Sequence, residues 1–209
     1  MRRVSGVQGS PGWQHVAKRL LDVIVAVLTL AVMSPLLVLI AGAIKLTSSG
    51  PVLYRWPVVG RGGRPFRAYK FRTMVVGAEE LKARFLDMNE ATGPVFKMRY
   101  DPRATSVGRV LRKFSLDELP QLWSVLKGDM SLVGPRPVLV DEWARFQEWQ
   151  RRKLTARPGL VCLWHLRGQP REFEEWIRLD LEYVDNWSLW LDLKLLLWMP
   201  IYVLGGRNY

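Results

Sequence analysis

Two adjacent carboxylates, Asp117 and Glu118, open a segment that closes at Pro137 with Arg136 held between two prolines. Arg109, Arg112 and Lys113 lead directly into the pair. Carboxylates beside fixed cations suit phosphate chemistry. An ionised aspartate can attack phosphorus or help hold magnesium, and a guanidinium forks two donors onto phosphate oxygens. The prolines around Arg136 stiffen its backbone and reduce the entropy lost on binding. Lys70 and Arg72 would share one face of a strand, about 7 Å apart, where they could grip a diphosphate or simply form a solvated face.

Ser115 and Glu118 also match a capping box, which would give Glu118 a purely structural role. Pro120 argues against it. In a helix capped by Ser115, Pro120 would be the fifth residue, where a missing N–H removes a needed bond. A helix starting at Asp117 or Glu118 places Pro120 in its first turn and both carboxylates at its mouth. The helix dipole would there favour an ionised Asp117 and a bound phosphate.

The elements that must position these residues follow from composition and pattern. The chain has 209 residues and a net charge of +12, which points to anionic partners. Ten tryptophans speak against a plain nucleic-acid binder, because tryptophan gathers where one side of a surface is apolar and the other wet. One cysteine, Cys162, excludes an intramolecular disulfide, and two histidines, His15 and His165, are too few for a histidine metal cluster. An oxygen-ligated magnesium ion fits.

Residues 1–15 read as a basic flexible tail. Residues 16–45 carry an apolar run long enough to cross a bilayer, broken by Ser34-Pro35. Pro35 leaves the Ala31 carbonyl without its helical N–H, and the Ser34 hydroxyl could bond back to Leu30; both predict a kink. Lys18 and Arg19 precede the run, and Lys45, Arg55, Arg61, Arg64 and Arg67 follow it. Basic flanks at both ends favour a re-entrant helix that enters and leaves by one face over a straight span. Beyond it, Val52–Val59 and Phe66–Met74 predict a β-hairpin around Gly60–Gly63, and Ala78–Glu90 predicts a polar amphipathic helix. Val138–Leu154 and Trp187–Leu204 combine aromatics with cations or interrupted apolar runs, as in helices lying at a lipid interface; core packing accounts equally well for the first. The expected class is α+β and mostly helical: a re-entrant N-terminal helix, a small hairpin, and interfacial helices around a compact catalytic unit over 46–209.

Together these pieces resemble the bacterial sugar transferases, the monotopic phosphoglycosyl transferases that act on polyprenyl phosphate. The resemblance rests on Lys18-Arg19-Leu-Leu-Asp22, Ser34-Pro35, Tyr69-Lys-Phe-Arg-Thr-Met74 and Ser115-Leu-Asp-Glu-Leu-Pro-Gln-Leu122. It continues through Lys127-Gly-Asp-Met-Ser-Leu-Val-Gly-Pro-Arg-Pro137, Arg157-Pro-Gly159 and Trp187-Ser-Leu-Trp-Leu-Asp-Leu193, in family order from about residue 16 to the end. It implies a UDP-sugar as donor and undecaprenyl phosphate as acceptor, at the cytoplasmic face of a bacterial inner membrane. Asp117 would be the nucleophile and Glu118 its partner, with magnesium at Glu118 and Asp117. Arg112 and Arg136 would contact phosphate, with Lys70 and Arg72 as weaker candidates. Membrane lipids are further implied partners, a second copy of the chain is compatible, and nucleic acid is not implied. The chain matches the short form or catalytic core of the family, without the block of several membrane helices that some members carry. One motif departs: where relatives commonly place an arginine, this chain has Gln169, so that role would pass to Arg167 or Arg171. His165 stands in place of a glutamine and suits packing better than general-base work. The competing reading from another class is a non-catalytic membrane-tethered scaffold or nucleic-acid-binding adaptor, which would need neither the carboxylate pair nor Arg136.

Overall fold

The computed structural model describes residue 7, residues 9–168, residue 170 and residues 172–205. Helix α1 (Gly12–Thr47) is followed by an antiparallel hairpin of β1 (Leu53–Val59) and β2 (Pro65–Phe71). Gly62 and Gly63 take the positive φ values that its turn needs. A 3-10 helix (Glu80–Met88) and helix α2 (Ser106–Lys113) lead to a 3-10 turn (Leu116–Gln121) that runs into α3 (Leu122–Lys127). Strands β3 (Ser131–Val133) and β4 (Val138–Leu139) come next, then the short helices α4 (Val140–Trp143) and α5 (Glu148–Arg151) and a 3-10 turn (Arg152–Thr155). Strand β5 (Gly159–Val161) and helices α6 (Trp164–Arg167), α7 (Phe173–Asp185) and α8 (Leu189–Leu204) complete the chain. β4 joins the hairpin in the order β2-β1-β4, and β3 pairs with β5 in parallel. The class is α+β and mostly helical, as expected.

Helix α1 runs through Pro35 without a break, 36 residues and so about 54 Å long. The Ser34 hydroxyl donates to the Ala31 carbonyl at 2.9 Å. It thereby takes the place of the N–H that Pro35 lacks, rather than bonding to Leu30. Both ends of α1 rest on the same folded body. At the first, Lys18 pairs with Asp192 at 2.5 Å, Arg19 donates to the carbonyls of Val125 and Leu126, and buried Asp22 accepts from the Ser131 hydroxyl and the Leu132 N–H. At the second, Ile40 and Ile44 pack with Phe71 and Leu111. The helix begins at Gly12, so the tail is shorter than predicted: Pro11 presets the entry, and His15 stacks on Trp187. Residues 1–6 and 8 of that tail lie outside the described residues.

Two other expectations change. Residues 80–88 wind as a 3-10 helix, not an α-helix, and Phe85 departs from helical angles within it. Residues 138–154 do not form one helix, and Phe146, 5% exposed, packs in a core with Val95, Val138, Phe173 and Trp176. By contrast α8 presents Trp190, Leu193, Leu197, Ile201 and Leu204 to the outside at helical spacing, and α1 exposes Leu20, Ile24, Val27, Leu28 and Val32. Such faces suit apolar lipid more than water.

Candidate active site

The carboxylate pair lies in the 3-10 turn between α2 and α3. Ser115 makes that turn. Its φ of 53° is the only positive value among the described non-glycine residues. A left-handed residue at this point ends α2, with the Ser115 N–H reaching the Arg112 carbonyl at 3.1 Å. An N-cap needs extended angles, so the capping box does not form, and the Ser115 side chain does not cap the turn. The helix starts at Leu116, not at Asp117. Pro120 instead holds the first turn in 3-10 form, and α3 begins only after it. The carboxylates therefore sit in the first turn of the 3-10 helix that runs into the six-residue α3, rather than at the mouth of an α-helix.

Lys70 approaches from β2. In the hairpin register Trp56 lies opposite Ala68, which makes Lys70 its diagonal neighbour on the same face. The Lys70 ammonium stands 4.3 Å from the Trp56 ring centroid and 2.6 Å from Glu118 Oε1. Burial alone would raise the Glu118 carboxyl, but Lys70, with help from His165 and Arg136, holds it below its ordinary value. Asp117 is 8% exposed and forms no ion pair among the described residues. Burial pushes its carboxyl up to about 6, aided by the neighbouring Glu118 charge and opposed by Lys70 and Arg112. The direction is opposite to that expected at a helix mouth. Desolvation outweighs the dipole of so short a helix.

The arginines divide. Arg112 stands 3.7 Å from Asp101 Oδ2, whose carboxylate is already held by two bonds from the Arg103 guanidinium. Arg136 is fixed at both ends by α7: its N–H donates to Asp180 Oδ1 at 3.1 Å, and its guanidinium lies 4.5 Å from the Trp176 ring centroid. Asp180 and Trp176 are one helical turn apart, so one face of α7 supports the whole residue. Lys153 pairs with Asp180 in turn, and both are buried. Close backbone crossing sets the Pro-Arg-Pro segment in place. A Cβ on Gly159 would come within 2.0 Å of the Gly134 nitrogen, so only glycine fits at the crossing of β3 and β5.

Arg72 is no part of this group. It is 7% exposed and its guanidinium donates to the carbonyls of Ser48, Ser49 and Pro51, which ties the end of α1 to β2. The predicted two-cation grip by Lys70 and Arg72 is thus corrected: Lys70 faces the carboxylates and Arg72 is spent on backbone. Arg167 is exposed and pairs with Glu182 at 3.0 Å. Gln169 and Arg171 lie outside the described residues. His165 is buried, stacks on Trp164 and accepts the Cys162 N–H at Nδ1 over 2.9 Å. Burial pushes its imidazole down to about 4, so it is neutral at pH 7.

The family described as bacterial sugar transferase matches residues 13–206. The chain belongs to the bacterial sugar transferase family. The galactosyl transferase CpsE of Streptococcus agalactiae serotype III (strain NEM316) is 42% identical over 193 residues, which is 91% of this chain and 43% of that relative. The exopolysaccharide production protein ExoY of Sinorhizobium fredii is 40% identical over 183 residues, 85% of this chain and 81% of that relative. The UDP-glucose:undecaprenyl-phosphate glucose-1-phosphate transferase of Caulobacter vibrioides is 45% identical over 190 residues, 86% of this chain and 67% of that relative. This chain thus spans somewhat under half the length of the streptococcal protein.

Within this sugar transferase fold, sequence reasoning missed Lys97. Asn89 pins its loop, accepting the Lys97 and Ala91 N–H groups and donating to the Ala91 and Val95 carbonyls. The Lys97 ammonium stands 5.7 Å from the same Trp176 ring that carries Arg136. Burial, together with Arg136 and Arg112, pushes it down to about 8 against the pull of Glu90. No local pattern marks it, because a lysine between Phe96 and Met98 reads as any surface cation.

Proposed function

We propose that the protein is a membrane phosphoglycosyl transferase that moves a sugar 1-phosphate from a UDP-sugar to undecaprenyl phosphate. The reading rests on Asp117, a buried carboxylate that forms no ion pair among the described residues, set beside Glu118, Lys70 and Arg112. Lys70 is bound to Glu118 rather than to Asp117. An Asp117 oxygen attacks the sugar-linked phosphorus, the bond to the bridging oxygen breaks, and its electron pair leaves with UMP. The sugar phosphate is left on Asp117 as an acyl phosphate. An oxygen of undecaprenyl phosphate then attacks the same phosphorus, the acyl bond breaks, and the carboxylate returns. Two displacements let a nucleotide and a long lipid use one small site in turn. Lys70, Arg112 and Arg136 offset charge on the transferring group.

Magnesium fits this donor set. Among the described residues no cluster of three or more His, Cys, Asp or Glu side chains forms a cage. Magnesium commonly takes one or two carboxylates and completes its shell with water and substrate phosphates. Glu118 would hold it through the oxygen not engaged by Lys70, with Asp117 adjacent. Bound there, it would neutralise phosphate charge.

Membrane attachment is through α1 and the outer face of α8. Because both ends of α1 rest on one body, a re-entrant course with the catalytic unit on the cytoplasmic face of the inner membrane accounts for the basic residues at both flanks. The reaction would be the first membrane step of assembling a polysaccharide or other glycoconjugate. The test uses purified protein, magnesium and a panel of UDP-sugars. UMP release is expected with wild type. Asp117→Asn should abolish it together with a sugar-phosphate adduct seen by mass spectrometry. An adduct on another residue, or full activity in Asp117→Asn, refutes the mechanism.

A further inference from the structure

We propose that Asp22, a buried carboxylate of helix α1, is a positioning residue for the reaction: it holds strand β3 and through that strand sets Arg136 at the site. This role rests on the phosphate contact of Arg136 in the reading above, and Asp22 itself lies outside the site.

Asp22 interrupts the apolar run of α1, is 3% exposed and forms no ion pair among the described residues. A buried carboxylate is costly unless its oxygens are bonded, and those of Asp22 are bonded to one strand. Oδ2 accepts the Ser131 hydroxyl at 2.8 Å, and Oδ1 accepts the Leu132 N–H at 3.0 Å. One turn earlier on α1, the Lys18 ammonium donates to the Val133 carbonyl at 3.0 Å. Two side chains on one face of α1 thus hold three successive residues of β3. Helix α8 joins the same grip. Its Asp192, 1% exposed, pairs with Lys18 and lies 2.7 Å from the Tyr183 hydroxyl, which is 3.1 Å from the Val133 carbonyl. Apolar packing would hold α1 against the body; directed bonds also fix where β3 stands along it.

From β3 to Arg136 the chain has no slack. The Gly134 N–H donates to the Val161 carbonyl at 3.0 Å, the Gly159 N–H to the Pro135 carbonyl at 2.9 Å, and the Arg136 N–H to Asp180 at 3.1 Å. Pro135 and Pro137 fix the backbone on either side of Arg136. Leu132 and Arg136 are separated by at most about 14 Å of chain, so little of a displacement of β3 is absorbed on the way. Misplacing a contact by about 1 Å can cost about a hundred-fold in rate. Because α1 and α8 carry the exposed apolar faces, Asp22 couples the seating of those helices in lipid to the phosphate grip of Arg136.

Single-turnover release of UMP from UDP-glucose and from UDP-galactose, by the full chain in detergent at saturating donor, tests this in a double-mutant cycle with Arg136→Gln. Asp22→Leu should slow release about ten- to a hundred-fold in the wild-type background but less than about two-fold in Arg136→Gln, because it acts through Arg136. Asp22→Asn keeps an oxygen for the Leu132 N–H and should recover most of the rate. Equal slowing in both backgrounds, the mark of general weakening, overturns the role. So does an Asp22→Leu protein that releases UMP within about two-fold of wild type. If Arg136→Gln alone stays within about two-fold of wild type, the phosphate contact of Arg136 falls, and the role of Asp22 with it. If wild type releases UMP from neither donor nor from any other UDP-sugar, the sugar-nucleotide reading itself falls. Should Asp22→Leu fail to fold, Ser131→Ala, which removes one of the two bonds, replaces it in the cycle. Slowing confined to the wild-type background then supports the role, and equal slowing in both refutes it.

Discussion

Replacing Lys70 by methionine removes the largest force opposing the upward displacement of the Asp117 carboxyl. Burial and Glu118 push that carboxyl up to about 6; Lys70 on β2 and Arg112 on α2 hold it down. With its value near 6, about nine-tenths of Asp117 is ionised at pH 7. An opposite charge within hydrogen-bonded reach of a carboxylate pair is worth about one to three pH units. Loss of Lys70 should therefore carry the Asp117 midpoint to about 7–9, leaving between about half and one-hundredth of the nucleophile ionised at pH 7. The rate of UMP release should fall about two-fold to about a hundred-fold at pH 7. The sign matters. The nucleophile works as the anion, so wild-type activity rises with pH through a midpoint near 6, and in Lys70→Met that rise moves to higher pH. The assay is single-turnover UMP release from a UDP-sugar across pH 5–10, at saturating donor. Partial recovery of the rate at high pH separates the charge effect from lost substrate contact, which would lower the rate equally at every pH. An unmoved midpoint, or one displaced downward, refutes the electrostatic account of the site.

Lys153→Met should destabilise the fold by about 3–5 kcal/mol in denaturant unfolding, since it strands the Asp180 carboxylate in a buried site. Adding Asp180→Asn, which keeps an acceptor for the Arg136 N–H, should restore most of that loss. Gly159→Ala should cost more than about 4 kcal/mol or prevent folding, because its Cβ would overlap the Gly134 backbone. Cysteines placed singly at Ser10 and Gly62 should both react with a membrane-impermeant maleimide from the cytoplasmic side only. Cys162 is buried, with its thiol pushed well up by burial, and should stay silent; labelling of the two sites from opposite sides would mean that α1 spans.

Features carried by short-range pattern were legible in the letters alone. The apolar run of α1, the glycine turn of the hairpin and the adjacency of Asp117 to Glu118 each depend on neighbours in sequence. Pro120 correctly signalled that an ordinary α-helix could not start at Ser115. The alternative drawn from it held in part: both carboxylates stand in the first helical turn, but that turn is 3-10 and follows a left-handed Ser115 that ends the preceding helix. Arg72 shows a second kind of gap. Its letters match those of a phosphate ligand, yet the carbonyls that claim its guanidinium lie 21 to 24 residues earlier, at the end of α1.

Lys97, Arg136 and Trp176 belong to three separate segments, and nothing in any one of them announces the other two. The charge state of Asp117 was equally out of reach. Its residue type and its neighbours were plain, but the displacement of its carboxyl depends on how completely the packed chain excludes water. Chain order decides which groups stand side by side along the backbone; packing decides the dielectric around them and which distant cations arrive. Those two quantities, more than the identity of the side chain, set what a carboxylate can do.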